Sequence, residues 1–431
     1  MPGAPRVVYD PMHQPQNRKV DRQMDRHTTP VSWVIAFGFL ATFMSSFGQT
    51  FFLGLFSPQF GAAAGIEGTT VSLLYGIATL ASGSLLFWLG GAMDRLSLRL
   101  AVTVSLAILI VGCLFVAGVE TGAMLLAAFF LLRLGGQGLL TQLAIVAAAR
   151  NGGKRRATTI AWASMGVILG EAILPATVIA VLSLFYWRHL WLVAAALSLV
   201  VVMPALLVLQ RRIHWRESDN QLKSSDATRN TASALRRRTV LTDRRFWAGA
   251  AIMLIPPFMT TGFLFEQTTI AQAMHWNAGL IGAAFTVFAI SRAFSTWFFG
   301  RTADRFGTIL MARVHLLPMA LAFASLALPL GGASIWVAFA GIGFTNGANS
   351  VLSGALWADM FGTAAVGTVR GVFGAAMVVA SALAPITVAA AMASGLSAGS
   401  LGLVFGTYAL IVPMLAGPFL RSRHTHAIQP Q

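Results

Sequence analysis

The chain has 431 residues, of which 56% are hydrophobic and only 10% charged, with a net charge of +16 and a mean hydropathy of +0.73. Soluble domains charge about a quarter of their residues, so this composition excludes a soluble globular protein and fits a bilayer as the solvent. The single cysteine, Cys113, excludes an intrachain disulfide framework and offers no metal cluster.

Residues 1–30 are polar and basic, with Arg6, Arg18, Lys19, Arg22 and Arg26, and read as a disordered cytoplasmic tail. No apolar core precedes the first span in the manner of a cleaved signal. About 20 apolar residues cross a hydrocarbon core about 30 Å thick as helix. Such stretches fall at 31–56, 70–90, 100–117, 122–148, 157–183 and 190–209. After a polar, basic linker they resume at 247–272, 279–299, 309–331, 335–358, 366–392 and 401–419. The expected fold is an all-α membrane protein of twelve transmembrane helices in two six-helix bundles. Its divisions are a tail 1–30, a bundle 31–209, a linker 210–246, a bundle 247–420 and a tail 421–431.

Nearly all of the 30 basic residues lie in the tails and in loops after even-numbered spans, and the loops on the other side keep only Arg188. The positive-inside rule then places both termini and the linker in the cytoplasm, with the spans in the plasma (inner) membrane. This distribution argues against nucleic acid as the partner of the positive charge. The linker is a solvated connector or touches anionic headgroups.

In chain order, the first span carries Ser45, Ser46, Gln49 and Thr50 at helical spacing. After the second comes "WLGGAMDRLS" (88–97), a phrase repeated after the eighth as "FFGRTADRFG" (298–307). Gly90 and Gly300, Asp94 and Asp304, and Pro175 and Pro385 recur at one constant interval, the mark of an internal duplication. The fourth span reads "LRLGGQGLLTQ" and holds Arg133 about halfway across the bilayer, counted at about 1.5 Å per residue. An arginine at that depth costs about 2.5–3.5 kcal/mol on insertion scales, so it should face a cavity or a partner. Gln137 and Thr141 extend its stripe.

The fifth span places Glu171 after Gly166-x-x-x-Gly170, a close-packing pattern, and Glu266 lies towards the outer half of the seventh. Either acid can carry a proton. The competing readings are a static ion pair of Glu171 with Arg133 or another helix, and a solvated residue at the mouth for Glu266. Arg292, followed by Ser295 and Thr296, is the deep cation of the second half, and the tenth span carries Asn346, Asn349, Ser350 and Ser353. Two permanently charged guanidinium groups, each able to grip a carboxylate with parallel hydrogen bonds, suit a small anion. Trp88, Trp187, Trp191, Trp247, Trp276 and Trp357 lie near span ends and read as interfacial anchors.

These residues resemble the major facilitator superfamily over essentially all of 31–420. The signature Gly-x-x-x-Asp-Arg-x-Gly is matched by Gly90, Asp94 and Arg95, with Ser97 in the last glycine's place, and by Gly300, Asp304, Arg305 and Gly307. The resemblance implies a gate built on these residues and a central cavity lined by helices 1, 4, 7 and 10. "LRLGGQG" and "WADMFGTAAVGTVRG" (357–371) look more like the monocarboxylate and oxalate/formate branch than the sugar branch. With no ATP site, cofactor site or enzyme motif in view, the expectation is a monomeric secondary transporter that moves a mono- or dicarboxylate with a proton. Arg133, Arg292, Gln49, Gln137, Asn346 and Asn349 would bind the anion, and Glu171 and Glu266 would handle the proton. The alternatives are a proton antiporter exporting drugs or metabolites, and a non-transporting sensor or assembly factor on the same scaffold.

Overall fold

The structure is a computed structural model that describes residues 31–93, 96–152, 155–213, 239–362 and 365–420. Twelve helices in it are long and apolar enough to cross a membrane. They are α1 (Val31–Gly54), α2 (Gly68–Leu89), α3 (Leu98–Ala117), α4 (Gly122–Asn151), α5 (Arg156–Leu182), α6 (Trp187–Gln210), α7 (Arg244–Phe265), α8 (Gly279–Phe306), α9 (Thr308–Ala327), α10 (Gly331–Phe361), α11 (Val366–Ala393) and α12 (Ala398–Phe419). Every stretch expected from hydropathy is present. No strand occurs among the described residues. We call the side where α1 begins and α12 ends the termini face, and the other the far face.

Local chemistry sets the helix starts. Ser97, Thr121, Asn277 and Ser397 each accept a backbone N–H from the first turn of α3, α4, α8 and α12, satisfying donors that a helix start leaves orphaned. Asp243 does the same for α7 by accepting from the Arg245 amide at 2.8 Å. Burial works against that carboxyl's charge, but the hydrogen bonds from the Arg245 amide and guanidinium hold it below the usual carboxylate range.

The duplicated phrases end differently. Gly307 sits at φ 84°, which a side chain disfavours, whereas Ser97 sits at φ −61° in extended backbone and caps the next helix. The first copy therefore does without the final glycine because that position does not lie in the left-handed region.

Among the irregular spans, α1, α4 and α7 bear on the seam between the halves. The helix of α1 passes through a 3-10 turn at Ser45–Gly48 and an extended Gln49 before resuming at Thr50. α7 is interrupted at Glu266 and continues as Gln267–Ala273. Arg133–Leu140 in α4 is a π-helix, a widening often found at functional positions.

Within the first half α1 packs on α4 and α5, and within the second α8 and α9 pack on α10 while α7 packs on α11. The halves meet along α5 with α8 and α2 with α11, with a further contact between the far-face part of α1 and α7. The first two contacts exchange under the duplication, as two related bundles require. The termini-face parts of α4 and α10 do not pack extensively on each other among the described residues. A Cβ added at Gly354 of α10 would meet nothing within 4 Å. The bundles therefore meet more closely towards the far face than at the termini-face ends of α4 and α10.

Close approach at the shared seams needs small residues. A Cβ at Gly282 of α8 would stand 2.8 Å from the Ala176 Cα of α5. Gly282→Val is therefore expected to destabilise this arrangement by about 1–3 kcal/mol through overpacking, read as a lower melting temperature in detergent. An unchanged melting curve would mean that α5 and α8 are not packed in this way.

The tryptophans divide, which corrects the expectation that all six are anchors. Trp88 and Trp247 are exposed, but Trp187, Trp191, Trp276 and Trp357 are buried. Trp191 is enclosed by Phe52, Phe56 and Phe60, and Trp357 lies between Phe246 and Phe373. Position near a span end does not say whether a ring turns to lipid or into the bundle.

Candidate functional site

Three groups of side chains lie at or beside the seam between the bundles. The first is an ion pair across it. Arg292 of α8 donates through Nη1 to both carboxylate oxygens of Glu171 of α5. The Glu171 side chain is 9% exposed and that of Arg292 25%, so the arginine is the less enclosed member of the pair. Gly347 of α10 abuts the Arg292 carbonyl, and Thr296 donates to the same oxygen at 2.9 Å. The backbone under the guanidinium is thereby fixed.

The Gly166-x-x-x-Gly170 step does what its pattern implies. A Cβ at Gly166 would run into the Phe39 carbonyl, and one at Gly170 into Ser46 Oγ, so α5 lies directly on α1 and carries Glu171 to the seam. The partner of Glu171 is Arg292 rather than Arg133.

The second group lies within the first bundle. Arg133 is buried and donates to Thr50 Oγ1 at 3.2 Å, while its guanidinium carbon stands 5.0 Å from the centre of the Tyr75 ring. Thr50 Oγ1 and the Tyr75 hydroxyl share a hydrogen bond of 2.6 Å. Among the described residues no carboxylate pairs with Arg133. An aromatic face contributes about 0.5–2 kcal/mol to a cation, far less than a buried ion pair partner supplies. Arg133 and Arg292 share no hydrogen-bonding partner among the described residues. The π-helix beginning at Arg133 carries Gly136, which meets Gly48 at the break in α1, and this contact brings Thr50 to the arginine.

The third group seals the far face, and it is built from three consecutive residues of α7 and its extension. The Phe265 ring lies 4.1 Å from that of Tyr75 and 6.2 Å from that of Phe129. Glu266 accepts from Ser72 of α2 across the seam and from Thr269 at 2.9 Å. Gln267 donates through Nε2 to the Phe51 carbonyl at 2.8 Å. Glu266 is 3% exposed, so the reading of a solvated residue at the mouth is corrected. The closure of α7 on α1 and α2, which hydropathy does not report, removes it from water.

Of the other expected binding residues, Gln49 is half-buried at the break in α1. Gln137 and Asn349 are half-buried, and their Oε1 and Oδ1 atoms have no hydrogen-bond partner among the described residues. Asn346 donates to Thr260 of α7 at 2.7 Å and to the Ile342 carbonyl at 2.8 Å. Polar atoms left unpaired in an apolar setting cost free energy, and a ligand or water can satisfy them.

Of the expected gate, Asp94 and Arg95 lie outside the described residues, and Gly90 falls within the helix that continues α2. A Cβ at Gly300 would meet nothing within 4 Å, and Asp304 is exposed and makes no ion pair among the described residues. Arg305 lies over the Phe306 ring.

Reading of the sequence missed Ser72, Tyr75 and Phe265. The chain has only 4 tyrosines, and Tyr75 is one of the two that fall inside spans, with Tyr408, a signal available but not specific. Its partners come from three other helices.

The sequence profile described as Major Facilitator Superfamily matches residues 38–385. No curated protein matches the sequence. Among solved structures, the chain is similar to a mutant form of the nucleoside transporter NupG, with a TM-score of 0.71 and 13% identity over 90% of this chain and 100% of that one. It is also similar to the xylose transporter XylE from E. coli in an inward open conformation, with a TM-score of 0.68 and 12% identity over 92% and 98%. A bacterial homologue of the human lysosomal transporter Spinster, inward-facing and unoccupied, gives a TM-score of 0.66 and 15% identity over 90% and 97%.

Proposed function

The chain belongs to the major facilitator superfamily, and from that premise we propose that it is a secondary transporter carrying a small mono- or dicarboxylate together with a proton. The observation that carries this reading is the Glu171–Arg292 pair joining the bundles. Rocking one bundle against the other must pull the pair apart and strand two charges at depth, each expensive there. A carboxylate arriving at Arg292 and a proton arriving at Glu171 compensate both sides at once. Either alone leaves one charge uncompensated, which is the logic of obligate symport. Arg133, a deep cation without a carboxylate partner among the described residues, adds a second reason for an anionic cargo.

With the termini read as cytoplasmic, the less closely packed termini face is the inward one. In this reading the duplicated loops form the inner gate, and an exposed Asp304 without an ion pair among the described residues fits a latch that is released in this state. The nucleoside and xylose transporters share the fold at an identity too low to carry their substrates over.

The test is uptake of radiolabelled carboxylates into proteoliposomes, preceded by a thermal-shift screen of the same compounds between about pH 5 and pH 8, since a ligand of the folded form raises its apparent stability. Uptake driven by an inward proton gradient, with acidification of the lumen as the compound enters, is the expected result. Alkalinisation would indicate antiport, and counterflow absent for every carboxylate would sink the organic-anion reading.

A further inference from the structure

Tyr75 touches both the deep Arg133 cation and the far-face seal. One contact of its ring is the Arg133 guanidinium at 5.0 Å, and another is Phe265 of the opposite bundle at 4.1 Å. Its hydroxyl is bonded to Thr50, which also accepts from Arg133. Thr50 begins the short outer segment of α1, whose Phe51 carbonyl is held by Gln267 and whose Gly54 lies against the backbone of Leu264 and Phe265. The extended Gln49 separates this segment from the rest of α1. Arg133 thus reaches the seal by two routes, through the tyrosine ring and through the outer end of α1.

We propose that Tyr75 is the positioning residue that couples occupancy of the Arg133 site to opening of the far-face seal. The proposal rests on the reading of Arg133 as an anion receptor. A guanidinium prefers a carboxylate, with two charge-assisted hydrogen bonds, to a neutral hydroxyl at 3.2 Å and a ring face. An arriving anion therefore draws Arg133 off Thr50 and Tyr75 together. The Tyr75 ring loses the contact that holds it against Phe265, and the outer segment of α1 loses its tether, so the α7 residues can part from α1 and α2. With the site empty the same contacts keep the seal shut and prevent a leak. Tyr75 transmits occupancy without binding the cargo, and a seal of this kind needs an aromatic face and a hydroxyl in one side chain.

The experiment uses the whole chain in detergent with Cys113, its only cysteine, replaced by alanine, and Phe51→Cys as reporter in every variant. Phe51, in the outer segment of α1, is 2% exposed and its ring meets that of Phe285 of the opposite bundle, so a maleimide reaches a thiol there when the bundles part at the seal. Arg133→Gln and Tyr75→Leu are each expected to raise the labelling rate about tenfold, and the double variant no further, because both cut the same linkage. Tyr75→Phe keeps the ring and loses only the hydroxyl, so its rise is expected to be about threefold. Rates that multiply in the double variant, or a rate unchanged in both tyrosine variants, would overturn the proposal.

Lactate, oxalate and succinate are the probe anions for the ligand arm. An anion that stabilises the protein should speed labelling clearly more in the Tyr75 background than in Tyr75→Leu, where only the route through Thr50 remains, while its thermal shift persists in both. Equal acceleration in both backgrounds would also overturn the linkage. If the ligand-free cycle shows the coupling but no carboxylate changes stability or labelling, the anion reading has failed and the mechanical linkage stands.

Discussion

Arg292→Met is expected to abolish carboxylate uptake, a fall of at least about a hundredfold, and to lower the melting temperature as well. Removing one partner of a buried pair costs about 3–5 kcal/mol because the other charge is left without compensation. Here the arginine side chain is a quarter exposed, so the stability loss belongs at the lower end of that range or beneath it. The informative comparison is the double variant Arg292→Met with Glu171→Met. Two apolar side chains of similar volume in place of an ion pair are often neutral or stabilising, so the double variant should recover the melting temperature while uptake stays absent. Recovery of both would mean that the pair only holds α5 and α8 together. Normal uptake by Arg292→Met alone would remove this residue from the transport site.

Arg133→Leu is the second substitution with a large expected effect, and its sign on stability is the opposite. Arg133 has a hydroxyl and a ring as partners and no carboxylate among the described residues. Replacement by leucine removes an uncompensated deep charge whose insertion cost is about 2.5–3.5 kcal/mol, so the melting temperature should hold or rise. Uptake should nevertheless fall by at least about a hundredfold. Loss of function with a gain in stability is what a residue retained for its task rather than for the fold produces. Arg133→Lys keeps the charge but loses the planar fork, and about a tenfold loss of uptake is expected. Proteoliposome uptake and a melting curve on the same preparations check both. A leucine variant that melts lower and still transports would identify Arg133 as a packing element.

Part of this molecule is legible without coordinates because a bilayer imposes a strict rule: each crossing must be an apolar helix that satisfies its own backbone. The twelve spans, the internal duplication and the unusual depth of Arg133 and Arg292 follow from that rule and from the residue order. Even local detail follows where a residue type has one use, as with Gly166 and Gly170 against α1. The signature phrases were readable too, down to the altered final position that Ser97 fills as a helix cap.

Pairing across the seam was not legible. A carboxylate in α5 has the same local sequence whether it meets Arg133 or Arg292, and only the packing of α5 on α8 decides for Arg292. Glu266 shows the same limit: its depth suggested contact with water, yet closure of α7 on α2 gives it Ser72 instead. Buried tryptophans at span ends make the point again, since hydropathy counts residues along the chain and not the direction in which a ring points.

By itself, then, the amino-acid order determined the solvent, the number of crossings and which polar groups sit at uncomfortable depth, because those depend on the transfer of single residues into hydrocarbon. The tertiary structure decided which charges are paired, which face is shut and that Tyr75 stands between Arg133 and Phe265. Those depend on contacts between helices far apart in the chain, whose relative rotation is chosen by packing rather than by composition.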